Sequence, residues 1–189
     1  VRFIPNKYLE VGLRMIYNIE QQISKYLRGQ ILAASSVAVL SVIGLFILNQ
    51  LGANITLIVF IGIIAGLANL IPMVGPFIGM IPAILIALMN NIGNDAALTH
   101  QLFGAVPSPF YILDIVLMFI IVQQIDNNFI TPVLVGESVG LHPMAVMIVL
   151  LIGGTLIGPL GMLFAIPTAG VLKVVISEIV FVTKNSHLL

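Results

Sequence analysis

From residue 31 onward the chain is a series of apolar runs separated by short polar or Pro/Gly-rich breaks. The runs are Ile31–Leu48, Ile55–Ile71, Phe77–Ile92, Phe110–Ile125, Met144–Ile157 and Leu160–Val182. A helix crossing a bilayer perpendicularly needs about 20 apolar residues. Only the last run clearly reaches that length, and the first nearly does. Two arrangements fit the shorter ones: helices lengthened by their flanks, or re-entrant and broken helices buried in protein. Residues 1–30 differ. Leu9, Leu13, Ile16, Ile19, Ile23 and Leu27 recur at helical spacing among Arg2, Lys7, Arg14, Lys25 and Arg28, with Glu10 and Glu20 as the acids. This pattern predicts an amphipathic helix, lying at a membrane surface or belonging to a soluble domain.

Composition narrows the class. The chain is 60% hydrophobic and 7% charged, with a mean hydropathy of +1.19, whereas soluble domains carry about 25% charged residues. No formal charge occurs between Arg28 and Asp95. The expected fold is therefore an all-α, polytopic integral membrane protein of about six hydrophobic segments. Its parts are an amphipathic cytoplasmic-side helix over 1–30 and a transmembrane domain over 31–183. A net charge of zero gives no sign of nucleic-acid binding, and with no Cys there is no disulfide or thiolate chemistry.

Charge placement suggests a topology. If all six runs cross, both ends lie on one side. The basic residues before Ile31, with Lys173 and Lys184 near the other end, put that side in the cytoplasm. The Gly93–Pro109 loop has no Lys or Arg and falls outside. Ser108-Pro109 reads as a helix start, with Asp114 about a turn further in, where a helix N-terminus favours negative charge. A functional intramembrane acid is the other reading of Asp114.

Two stretches interrupt the apolar pattern. Asp126–Pro143 is a polar island that holds Asp126, Asn127, Asn128, Thr131, Glu137, Ser138 and His142. Pro132, Gly136, Gly140 and Pro143 argue against a long regular helix there. Just before it, Gln123 and Asn127 lie at i,i+4, as do Gln124 and Asn128. Such amides line a polar path or mark an interfacial helix end. Ile71–Pro82 contains Pro72, Pro76 and Pro82 with Gly75 and Gly79. It reads as a turn between two helices or as a broken-helix element of the kind that transporters use at binding sites. Gly62/Gly66, Gly75/Gly79 and Gly154/Gly158 are spaced for close helix approach.

No catalytic constellation is present: the sequence has no HExxH, GxSxG or P-loop, and His100, His142 and His187 are scattered. An enzyme is not expected, nor is a cofactor or bound metal.

Several stretches resemble the AI-2E family of transporters. They are Tyr26-Leu-Arg-Gly-Gln30, Asn69-Leu-Ile-Pro-Met-Val-Gly-Pro-Phe-Ile-Gly79 with Ile81-Pro82, and Gln123-Gln-Ile-Asp-Asn-Asn128. Thr131-Pro132, Gly136, Val139-Gly-Leu-His-Pro143, Gly158 with Gly161, and Ile166-Pro167 follow in family order. Members are longer, so the chain reads as a C-terminal portion. The resemblance implies a multi-pass protein of the prokaryotic cell membrane, a homo-oligomer whose partners are the lipid bilayer and a small-molecule or cation substrate. It implies secondary transport or export of a small solute such as autoinducer-2, or sodium(lithium)/proton antiport. A passive channel and a non-transporting scaffold are the rivals. The substrate path is expected at Gln123, Gln124, Asp126, Asn127, Asn128, Glu137, His142 and Pro143. The broken-helix element is expected at Pro72, Gly75, Pro76, Gly79 and Pro82.

Overall fold

A computed structural model describes residues 6–71, 74–136 and 140–184. Helix α1 runs unbroken over Asn6–Leu48, so the amphipathic segment and the first apolar run form one helix, about 64 Å long at 1.5 Å per residue. It is followed by α2 (Ile58–Ala68), α3 (Gly75–Asn91), the short α4 (Asp95–Leu98), α5 (Ile112–Ile125), α6 (Pro143–Ile157) and α7 (Pro159–Lys184). Between α4 and α5 the chain makes a two-stranded antiparallel hairpin, β1 (Gln101–Leu102) with β2 (Val106–Pro107), an addition to the all-helical expectation. Three stretches are long and apolar enough to cross a bilayer: Gly12–Ala53, Pro109–Val135 and Pro159–Phe181. Ile58–Ala68, Gly75–Asn91 and Met144–Ile157 are shorter. The chain is a polytopic membrane protein.

The described residues divide into two compact units, Gln30–Leu134 and Val1–Gly29 with Val135–Leu189. In the first, helices approach through small residues. A Cβ on Gly66 would lie 2.6 Å from Ala38 Cβ, and Gly62 is equally tight against Val42, so α2 lies close along α1. A Cβ on Gly75 would lie 2.5 Å from the Ala65 carbonyl oxygen, and one on Gly79 2.6 Å from Ala65 Cβ, which seats α3 on α2. Leu45, Ile61, Ala83, Ala87, Ile115 and Phe119 fill the centre. The turn after α1 is sealed by amides. Asn91 donates to the Ala53 carbonyl at 2.8 Å, and Asn90 to Asn54 O at 2.9 Å and Thr56 Oγ1 at 3.1 Å. Such pairing is what permits irregular backbone inside a membrane protein. Gly52 is required in that turn: its φ is +100° and a Cβ would lie 2.8 Å from the Tyr111 hydroxyl.

In the second unit, α6 and α7 form a hairpin joined by one residue, Gly158 (φ +70°). Pro159 directly starts α7. The close approach there is between Gly153 and Gly161, where a Cβ on Gly153 would lie 2.5 Å from the Gly161 carbonyl oxygen. Gly154, of the expected Gly154/Gly158 pair, is instead filled by Met162. Arg14 of α1 reaches Glu178 of α7 at 3.6 Å and lies 5.2 Å from the Phe181 ring centroid.

Candidate functional site

The break before α3 is narrower than the sequence pattern suggests. Gly75–Asn91 is one α-helix that contains Pro76 in its first turn and Pro82 inside it. Pro76 is tolerated because first-turn N–H groups have no intrahelical acceptor. Pro82 removes one ladder bond but does not end the helix. The interruption is thus confined to the turn between Ala68 and Gly75. Pro72, within it, lies outside the described residues.

That turn is anchored by Asn69. Its backbone N–H caps α2 by donating to Ala65 O at 3.0 Å and Gly66 O at 3.1 Å. Its carbonyl accepts 2.7 Å from the Gln30 amide, which also donates to Leu70 O at 3.1 Å. The Asn69 side chain donates to Asp126 Oδ2 at 3.3 Å, and Thr131 Oγ1 donates to Asp126 Oδ1 at 3.2 Å. Gln30, Asn69 and Asp126 are all buried, Asp126 at 1% exposure. Gly75 makes the cluster possible, since a Cβ there would lie 2.5 Å from Asn69 Cβ and 2.8 Å from Asn69 Oδ1.

Asp126 does not end the helix that carries it. Residues Asp126–Ile130 and Pro132–Gly136 continue α5 as π-helical turns. Pro132 and Gly136 argue against a long regular helix, and the chain here is indeed irregular, yet it continues the helix rather than leaving it. A wider turn absorbs the prolyl ring and missing N–H that a regular α-turn would reject. Along this stretch Asp126 is buried and Asn127 half-buried, while Gln124 and Asn128 are exposed. Gln123 is buried and donates to Asn127 Oδ1 at 2.9 Å. Its own Oε1, like Asn69 Oδ1, is buried without a hydrogen-bond partner among the described residues.

The predicted residues therefore separate. Gln123, Asp126 and Asn127 face inward, with Gly75, Pro76 and Gly79 buried in the same unit. Gln124 and Asn128 do not join them. His142 is exposed and caps α6, its Nδ1 accepting from Met144 N at 3.3 Å, with Pro143 as the first helical residue. Glu137 lies outside the described residues. Asn69, Gln30 and Thr131 were not among the predicted site residues. Their signal was a lone amide at the edge of an apolar run, or a hydroxyl five residues past an acid.

A second polar cluster surrounds Asp114. The carboxylate is buried, accepts a short hydrogen bond from the Ser108 hydroxyl and lies 3.4 Å from His100 Nε2. The His100 ring stacks on Tyr111 at 3.8 Å, and the Tyr111 hydroxyl donates to Leu51 O at 3.2 Å. The helix start differs in detail from the Ser-Pro expectation. Pro109–Tyr111 forms a 3-10 turn with Phe110 and Tyr111 both at positive φ, and the α-helix begins at Ile112. Among the described residues, no group of three or more His, Asp or Glu side chains forms a metal site.

Comparison with known proteins identifies the family. The sequence pattern of the AI-2E family transporter matches residues 1–106 and 97–181. YueF of Bacillus subtilis (strain 168) is 29% identical over 184 residues, which is 97% of this chain and 44% of YueF. YrrI of the same organism is 32% identical over 170 residues, 90% of this chain and 42% of YrrI. YhhT of Escherichia coli (strain K12) is 29% identical over 112 residues, 59% of this chain and 28% of YhhT. The chain thus spans less than half the length of these relatives. No solved structure matches it. The residues that meet around Asp126 come from the separate stretches on which the family resemblance rests, and the chain belongs to the AI-2E transporter family.

Proposed function

We propose that this chain carries the solute-coupling part of a secondary transporter that moves a small solute across the cell membrane, with Asp126 as the coupling group. One observation carries the reading. Asp126 is buried in a stretch able to span a bilayer, and its hydrogen-bond donors, Asn69 and Thr131, are neutral. No Lys or Arg occurs between Arg28 and Lys173. An acid in that setting is costly as a bare anion. It is satisfied by taking up a proton or a cation, which is what a coupled carrier requires. YueF and YrrI, both named provisionally as transport proteins, support the same class.

A second reading is supported by the unpartnered oxygens Asn69 Oδ1 and Gln123 Oε1. Amide oxygens with a carboxylate suit a hard monovalent cation, and so sodium(lithium)/proton antiport. The test is flux by the full-length protein in vesicles, against a panel of small hydrophilic metabolites and against sodium and lithium. Gradient-coupled metabolite flux supports the first reading, and cation-for-proton exchange the second. Uncoupled flux would make the protein a channel, and absence of flux for every solute would make it a scaffold.

A further inference from the structure

We propose that His100 and Asp114 form a proton-binding site at the opposite end of α5 from Asp126, where the chain exchanges protons with water. The two acids stand apart. Asp114 lies in the first turn of α5 and Asp126 just past its last residue, a separation of about 18 Å along the helix axis.

The hydrogen bonds place the protons. The Ser108 hydroxyl accepts from Leu113 N at 3.2 Å, so its own hydrogen is directed at Asp114 Oδ2. His100 Nε2 lies 3.4 Å from the other oxygen, Oδ1. A carboxyl group with both oxygens facing donors is held as the anion, and the imidazole beside it carries its hydrogen on Nε2. Nδ1 is then the basic nitrogen. It has no hydrogen-bond partner among the described residues, and the His100 side chain is 24% exposed, so water can reach the ring. Two further contacts hold the geometry: the ring stacks on Tyr111 at 3.8 Å, and Ser108 N–H donates to His100 O at 2.9 Å.

The surroundings offer the buried anion no other cation. His100 is the only side chain in Gln30–Leu134 able to carry positive charge. Of the elements around it, α4 brings Asp95, which is exposed, and the 3-10 turn brings Tyr111, whose hydroxyl donates to Leu51 O. The hairpin, α3 and the turn after α1 bring no titratable group. An unpaired buried carboxylate is costly. One N–H bond made at Nδ1 from a hydronium ion, which leaves as water, turns the pair into an imidazolium–carboxylate ion pair without net charge. The reverse step returns the proton to water. Asp126 differs, because its donors are neutral and a proton taken up there sits on the carboxyl group itself. The part played in transport rests on the reading proposed above, whereas proton binding does not.

Proton binding is therefore tested without any solute. In the full-length protein in nanodiscs, NMR follows over about pH 5 to 8 the imidazole signal that disappears in His100→Gln. Asp114→Asn should weaken proton binding at His100 by about tenfold, because the anion is gone. Ser108→Ala should strengthen it by about twofold, because the anion loses a neutral donor and depends more on the imidazolium. Shifts of opposite sign support the site. A signal that does not titrate would overturn it, as would shifts of the same sign, which a general loosening of the fold would give. Should Asp114→Asn fail to fold, unchanged or weaker binding in Ser108→Ala overturns it alone. In vesicles, flux by His100→Gln should no longer respond to pH at the face bearing the Gly93–Pro109 loop. A parent-like response there would remove the pair from the transport cycle. Opposite NMR shifts in a protein that moves no solute would leave the proton site standing and end the transport reading.

Discussion

Asn69 donates its side-chain amide to Asp126 across 57 positions of sequence, and both residues are buried. One ends α2 and the other begins the π-turn after α5, so the contact ties the turn before α3 to the polar end of α5. Replacing Asn69 by Ala should lower stability by about 1–3 kcal/mol, the cost of leaving a buried carboxylate short of a donor. The Asn69→Ala/Asp126→Asn double variant should recover part of that loss. Thermal unfolding in detergent measures both, and strictly additive effects would show that the pair is not coupled.

Asp126→Asn keeps the shape of the side chain and removes its charge. Flux should fall at least tenfold with expression and oligomeric state unchanged, and any dependence of flux on pH should flatten. Parent-like transport across the pH range would make Asp126 a structural residue and remove the main support for coupling.

The glycines make opposite predictions by location. Gly79→Ala places a Cβ 2.6 Å from Ala65 Cβ and 3.2 Å from Phe119. Overpacking of this kind costs about 1–3 kcal/mol. Gly12 lies inside α1 with nothing within 4 Å of a Cβ position, so Gly12→Ala should stabilise the helix by about 0.5–1 kcal/mol. Melting temperatures of the two variants should move in opposite directions.

The prolines of the break can be separated in the same way. Pro82→Ala restores an N–H inside α3 and should leave flux intact while raising thermal stability. Pro72→Ala/Pro76→Ala should assemble in the membrane yet lose flux if the turn before α3 forms part of the solute path. Normal flux in that well-folded double variant would take the turn out of the path.

Topology is tested by single cysteines. Asn94→Cys and Lys184→Cys should react with an impermeant reagent from opposite faces of the membrane, because basic residues flank both ends and none lie in the Gly93–Pro109 loop. Reaction from the same face would favour re-entrant short helices.

The membrane class was legible in the sequence because hydropathy needs no tertiary information. Asp126 stood out for the same reason, as an acid at the end of an apolar run. What the pattern lacked was pairing. Asn69 reads as a helix end until Asp126 is seen beside it, and His100 reads as a loop residue until the hairpin folds it onto Asp114. Proline was over-read in three places. Pro76 sits where a helix start tolerates it, Pro82 costs α3 a single bond, and Pro132 is absorbed by a π-turn. A local rule reports the bond lost and is blind to the surroundings that make the loss bearable.

Helix α2 has 11 residues, a rise of about 16 Å, against a hydrocarbon layer of about 30 Å. Helix α3, folded back on it after a short turn, has 17 residues and rises about 26 Å, so α2 is the short arm of this hairpin. If α2 lies across the bilayer, lipid beside it thins or water enters from one face to the level of Asn69. In either case a membrane potential drops over a shorter distance there than elsewhere around the molecule. An ion or proton held at Asp126 would then sit in a steepened field, so membrane voltage itself becomes a driving force on the occupancy of that site.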